Sequence, residues 1–167
     1  LNRLQKYVMC LLSLKNQGLN TITNVSISYA IDSGTAVNLN WTGNLAPCME
    51  TTFPLSVTGL SRGTHLLNVT STIINDGRPE NNTKSVLLLV NDAGVVGTVN
   101  PFTNSSNALI AYDENSNDST WKMGFRNGNA MTSSGNSVYT TNLTGNYEKK
   151  KKAYIVSQCY NLSNVSN

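Results

Sequence analysis

The sequence predicts an all-β chain, and three observations carry that prediction. Asn makes up about one residue in seven, and Thr, Ser and Gly supply much of the remaining polar content. Asn and Gly favour turns, whereas Thr favours strands and sheet edges. Apolar and polar residues alternate with period two over several short segments, separated by turn-forming residues. No sustained helical period and no internal repeat is present.

The elements follow in order. Val8 to Lys15 is an apolar run closed by Asn16-Gln17-Gly18. Val25, Ile27, Tyr29 and Ile31 then alternate with Ser26, Ser28 and Ala30, the pattern of a half-buried strand. Asp32-Ser33-Gly34 supplies a turn, and Val37, Leu39 and Trp41 complete a hairpin, with Trp41 in register for the core. Phe53, Leu55 and Val57 repeat the alternation after a loop containing Pro47. Leu67, Val69 and Ile73 do so again, with Ser71 a small polar residue on the same face. Asn75-Asp76-Gly77 marks another turn before the nearly continuous apolar strand from Ser85 to Val90. Six or seven strands in about 85 residues is the scale of an immunoglobulin-like sandwich.

The texture changes beyond that. Residues 92–100 read as a linker, and residues 103–147 are richer in Asn, Ser and Gly. Apolar islands remain at Ala108-Leu109-Ile110 and around Trp121, Met123 and Phe125, with further strands expected at Val138–Thr141 and Ala153–Val156. The division is therefore residues 1–91, a linker, and an incomplete β module over 101–167. The chain starts at Leu1 and stops at Asn167 inside a polar segment, so it is read as a fragment of a longer protein.

Charge and cysteine content narrow the function. The net charge is +3, but the run Lys149 to Lys152 accounts for it, and without that run the balance is −1. A nucleic-acid surface needs basic residues spread over a face among aromatics, so the run reads as a solvated turn and nucleic acid is not expected as a partner. No stretch approaches the roughly 18 apolar residues of a membrane span, so no membrane insertion by this segment is expected. Cys10, Cys48 and Cys159 show neither a zinc pattern nor a redox pair. A Cys10–Cys48 bridge and buried free thiols both fit their spacing.

Part of the chain resembles known families. Lys15-Asn16-Gln17-Gly18, Ile22-Thr23-Asn24-Val25, Ser28-Tyr29-Ala30-Ile31-Asp32, Asn40-Trp41-Thr42-Gly43-Asn44-Leu45-Ala46-Pro47, Gly63-Thr64-His65 and Asn81-Asn82-Thr83 occur in the order typical of CARDB domains. These are the cell-adhesion-related immunoglobulin-like domains found in large secreted proteins of the Bacteroidetes. Cys48 departs from the pattern, where small or polar residues usually follow the Pro. Pro101-Phe102, Asp118-Ser119-Thr120-Trp121, Asn142 to Tyr147 and Tyr154 to Ser163 resemble the start of a MAM-like jelly-roll module. Gln158 stands there in place of a usual Pro, and the lysine run fills a loop that is normally Asn-rich. The resemblance implies an immunoglobulin-like sandwich followed by a partial jelly-roll-like domain, in an extracellular or cell-surface setting. It also implies adhesion, binding or spacing, with partners among the parent's other domains and a glycan or protein on a surface.

Candidate sites are few. His65 is the only histidine, and at a strand start it reads as a packing or turn residue rather than a catalytic base. The acids cluster only at Asp113, Glu114 and Asp118, so no catalytic residue is assigned and no enzyme activity is expected. Those three supply side-chain oxygens at the spacing a Ca²⁺ site would need, making Ca²⁺ the sole cofactor suggested, although the Gly and terminal Glu of an EF-hand loop are missing. Trp121 is a candidate platform for stacking a sugar ligand. Asp118-Ser119-Thr120 fits a bacterial O-glycosylation motif, which nominates Ser119. Nine Asn-x-Ser/Thr triplets, among them Asn68-Val69-Thr70 and Asn142-Leu143-Thr144, are what so Asn- and Thr-rich a chain produces by chance. Two rival readings remain: accessory domains of a secreted hydrolase whose catalytic domain lies elsewhere, and a structural stalk or filament component.

Overall fold

The expected alternation appears directly as strands. The structure, a computed structural model, describes residues 8–100, 102, 109–114, 119–125, 137–147, 149 and 151–163. β1 (Val8–Lys15) pairs antiparallel with β4 (Glu50–Val57) as a two-stranded sheet. β2 (Ile22–Ile31), β3 (Val37–Leu45), β5 (Gly63–Thr72) and β6 (Thr83–Val90) form a four-stranded sheet in the order β3-β2-β5-β6. A 3₁₀ turn at Pro79–Asn81 precedes β6 and is the sole helical element among the described residues.

The core draws on both sheets. Leu14 of β1 and Leu55 of β4 meet Val25, Ile27 and Tyr29 of β2, Leu45 of β3, and Leu67 and Val69 of β5. This is the two-layer arrangement of a sandwich, and each such side chain contributes roughly 1.5–3 kcal/mol of burial. The Tyr29 hydroxyl donates to the Ser56 carbonyl at 3.0 Å, so its polar end is satisfied where its ring is buried. Pro54, which has no N–H to donate, sits in β4, a strand with one unpaired edge. The hairpin turn has Asp32 and Ser33 both at positive φ (49° and 67°), with the Gly34 N–H donating to the Ile31 carbonyl at 2.7 Å. Two left-handed central residues match the right-handed twist of the flanking strands.

Trp41 packs half-buried against this core from the edge strand β3. A Cβ at Gly43 would lie 2.6 Å from the indole Cζ2. Residues two apart share a strand face, so the Trp41-Thr42-Gly43 spacing leaves the room that the indole needs.

Asn16 is a buried amide in an apolar register. Cys10, Leu12 and Leu14 point inward along β1, and the next inward position is Asn16, which is 1% exposed. Its Nδ2 donates to the Asn20 carbonyl at 2.8 Å and to the Leu45 carbonyl at 2.9 Å. Its Oδ1 accepts the Gly18 N–H at 2.9 Å. Its backbone donates to Met49 and accepts from Cys48, both at 2.9 Å.

The chain divides into two compact units, residues 1–61 with 65–88 and residues 62–64 with 89–167. In the second, β8 (Ile110–Asp113) pairs antiparallel with β11 (Ala153–Val156), and β9 (Lys122–Gly124) with β10 (Val138–Thr140). β7 (Ala93–Gly94) pairs in parallel with β12 (Cys159–Tyr160). The segment expected as a linker thus contributes a strand. Gly94 lies against the Tyr160 ring, where a Cβ would collide. Tyr112 and Tyr154, directly opposite across β8 and β11, stack with centroids 5.2 Å apart.

The three cysteines are free. Of the two alternatives the spacing left open, the structure has free thiols, with Cys10 half-buried and Cys48 and Cys159 exposed rather than buried.

Replacing Asn16 tests the buried amide. Asn16→Ala leaves two carbonyls and one N–H without their partner and is expected to cost about 2 kcal/mol or more in urea unfolding of the first unit. Asn16→Asp places a carboxylate against two carbonyls at neutral pH; its deficit should shrink on acidification, as the protonated side chain regains a donor.

Candidate functional site

The acidic loop of the second unit is held by the chain's own donors. Asp113 ends β8 and is 5% exposed. Its Oδ1 accepts the Thr120 N–H and its Oδ2 the Thr120 hydroxyl, both at 2.7 Å, and Lys151 Nζ lies 3.3 Å from Oδ2. Burial pushes the carboxyl up, but the Thr120 hydrogen bonds and Lys151 outweigh it and hold its pKa below the ordinary value. Glu114 pairs with Lys152 at 3.2 Å, and its N–H donates to the Lys152 carbonyl.

The β8–β11 register explains these pairs, because it sets Ala153 opposite Asp113 and so returns the lysines to the acids. Lys151 and Lys152 are thus counterions to the acidic segment while remaining solvent-exposed, as expected of a solvated turn. Asp118 lies outside the described residues. A cation at Asp113 would have to displace Thr120 and Lys151. Among the described residues, no three His, Cys, Asp or Glu side chains come together as a metal site. Trp121 is half-buried, and the Ser119 hydroxyl accepts its N–H at 3.1 Å, so Ser119 shapes the turn that leads into β9.

His65 is structural in its contacts. Nδ1 lies 2.5 Å from Asp32 Oδ2, and Nε2 lies 2.9 Å from the Ser61 carbonyl. Both partners are acceptors, so only the doubly protonated imidazolium can donate to each. Burial pulls the imidazole pKa down, but the hydrogen bonds to Asp32 and Ser61 and the Asp32 charge raise it above 6.5 overall. Asp32 is lowered below 3.8, first by the Leu66 N–H at 2.7 Å and, against the opposing effect of burial, by His65. Sequence reasoning missed this pair because its members are 33 residues apart and meet only when β2 aligns with β5.

A concavity lies at the other end of β2. A cleft of about 800 Å³ runs between the β1–β2 connection, residues 16–21, and the β5–β6 connection, residues 73–82. Ser26 and Thr72, directly opposite across β2 and β5, also line it. One wall is shaped by the Asn16 hydrogen bonds. The other is shaped by Asp76, which accepts the Arg78 N–H at 2.8 Å and Asn82 Nδ2 at 2.6 Å. Those two bonds hold the Asp76 pKa below the carboxylate norm. Gln17, Asn20, Asn24, Asn75 and Asn81 present exposed amides to the cleft. The signal for it in the sequence was the paired Asn-rich turns at 16–24 and 75–82, which read simply as turns.

No known protein family, curated protein or solved structure matches the chain.

The His65–Asp32 pair sets a pH dependence for the first unit. The histidine contribution is complete below pH 6.5 and is lost as pH rises through the higher folded pKa. The Asp32 contribution is present above pH 3.8 and is lost as pH falls through its lowered folded pKa. Stability from the pair should therefore be greatest between those values. NMR titration of the single histidine should give a pKa above 6.5, and His65→Gln should flatten the fall of the urea midpoint above that pH. For the second unit, Asp113→Ala should speed hydrogen exchange of the Thr120 amide severalfold while leaving amides of β2 unchanged.

Proposed function

We propose that this chain is a non-catalytic binding, adhesion or spacing region of a secreted or cell-surface bacterial protein. Its first unit would act as a CARDB-like module and its second as the start of a MAM-like module. The observation that carries this reading is the cleft of the first unit, built on a two-sheet scaffold and lined by exposed amide-bearing residues. Loops on a rigid β scaffold are the usual carriers of recognition. The engagement of His65 with Asp32 and Ser61 supports the non-catalytic part, because both ring nitrogens already face acceptors of the chain itself. The use of the acids as internal counterions supports it further, since Asp113 and Glu114 are already paired with lysines.

Two measurements test the reading. Incubated with peptide, ester and glycoside substrates, the chain is expected to show no turnover above background; turnover that disappears in His65→Ala overturns it. Immobilised on a sensor surface, the chain should bind at least one class of soluble glycan or peptide saturably, with the response reduced severalfold when Asn20 and Asn81 are both replaced by Ala.

A further inference from the structure

We propose that the cleft between residues 16–24 and 73–82 takes a neutral, hydroxyl-rich oligosaccharide; the inference rests on the reading of the first unit as a binding module. The volume, about 800 Å³, lies within the roughly 300–1,000 Å³ of small-ligand sites and accommodates a short glycan segment.

The chemistry of the lining selects the class. Gln17, Asn20 and Asn24 on one side and Asn75 and Asn81 on the other make no side-chain hydrogen bond among the described residues. A primary amide carries a carbonyl acceptor and two N–H donors on one plane. A hydroxyl is likewise both donor and acceptor, so one amide can bridge two neighbouring sugar hydroxyls. The lining holds a single carboxylate, Asp76, and a single guanidinium, Arg78, so the cleft carries no net charge. Asp76 is also committed to the Arg78 N–H and to Asn82. Neither a phosphate nor a divalent cation finds matching charge there.

Leu19 and Ile74 also line the cleft, 93% and 89% exposed. Two large aliphatic side chains in water beside a row of amides suit a pyranose, which presents C–H faces along with its hydroxyl rim. A peptide is disfavoured by the topology. Extended peptides are captured by adding a strand to a free sheet edge. Within the four-stranded sheet β2 lies between β3 and β5, and β5 between β2 and β6, so neither offers an edge. Both walls are already shaped by Asn16 and Asp76, which lowers the ordering cost of binding.

The test is an NMR titration of the labelled full chain with three neutral sugars, cellotetraose, mannotetraose and N-acetylchitotriose. A heparin-derived tetrasaccharide and a neutral Ser/Gly tetrapeptide serve as the other arms. At least one neutral sugar is expected to shift amides of residues 16–24 and 73–82, with an affinity unchanged by added salt. Asn20→Ala and Asn81→Ala should each weaken it roughly fivefold, the scale of one lost hydrogen bond. Asn38→Ala, on the edge strand β3 and outside the cleft lining, should leave it unchanged. Binding of the heparin fragment or the peptide in the cleft without any neutral sugar overturns the ligand class and leaves the binding-module reading standing. Silence toward every probe overturns both, and sugar binding indifferent to Asn20→Ala and Asn81→Ala overturns the placement.

Discussion

The first unit depends on satisfying one buried amide. β1 directs Cys10, Leu12 and Leu14 into the core, and the same period carries Asn16 inward. An amide placed there costs several kcal/mol unless its donors and acceptor are all used. Its partners come from two places, the loop that follows it and the end of β3 at Leu45, while the Asn16 backbone pairs with the turn at Cys48 and Met49. Meeting that demand brings the β1–β4 sheet and the four-stranded sheet to one point. The chain crosses between the sheets over residues 16–21, so the crossing, the closing of the core at Leu45 and one wall of the cleft share a single polar group.

The opposite end of β2 is held by different physics. There Asp32, in a left-handed turn conformation, accepts from Leu66 and from His65, whose second nitrogen faces Ser61. This end is ionic at the core of its contacts, whereas at the other end the Asn16 hydrogen bonds are all made by neutral groups. The 10 residues of β2 separate the two by roughly 30 Å. A change in the protonation of His65 therefore acts on the stability of the sandwich without altering a charge at the cleft.

Much of the sandwich was legible in the alternation, because a residue's face follows from its parity once a strand is recognised. Val25, Ile27, Tyr29, Leu67 and Val69 are buried as that parity requires. The same parity accounts for Asn24-Val25-Ser26 and Asn68-Val69-Thr70, which satisfy a glycosylation pattern merely because an inward Val sits between outward polar residues. What parity cannot supply is pairing between distant segments. Asn16 looked like a turn residue because its partners at Asn20 and Leu45 are not a local pattern. The pairing of Lys151 and Lys152 was not legible because their acids are 38 residues away, at Asp113 and Glu114. The cysteines were ambiguous because spacing alone gives neither distance nor exposure.

In a chain so rich in Asn, abundance alone cannot mark a site. On the outer face of the four-stranded sheet some amides are used. Asn40 accepts from Ser26 at 3.0 Å, and Asn68 accepts from Ser85 at 2.6 Å. In the second unit, Asn142 accepts the N–H groups of Thr144 and Gly145 and donates to the Asn146 carbonyl, so that its amide builds a turn. Gln17, Asn20, Asn24, Asn75 and Asn81 are of the same chemical type, yet their amides converge on one concavity and are bonded to nothing in the described chain. Water satisfies such groups at little cost, so their freedom is not itself a strain. What distinguishes them is arrangement: several unspent amides on two braced walls exchange their water together when one ligand with matching hydroxyls arrives. Scattered over a flat face, the same amides would offer each ligand hydroxyl a single weak bond.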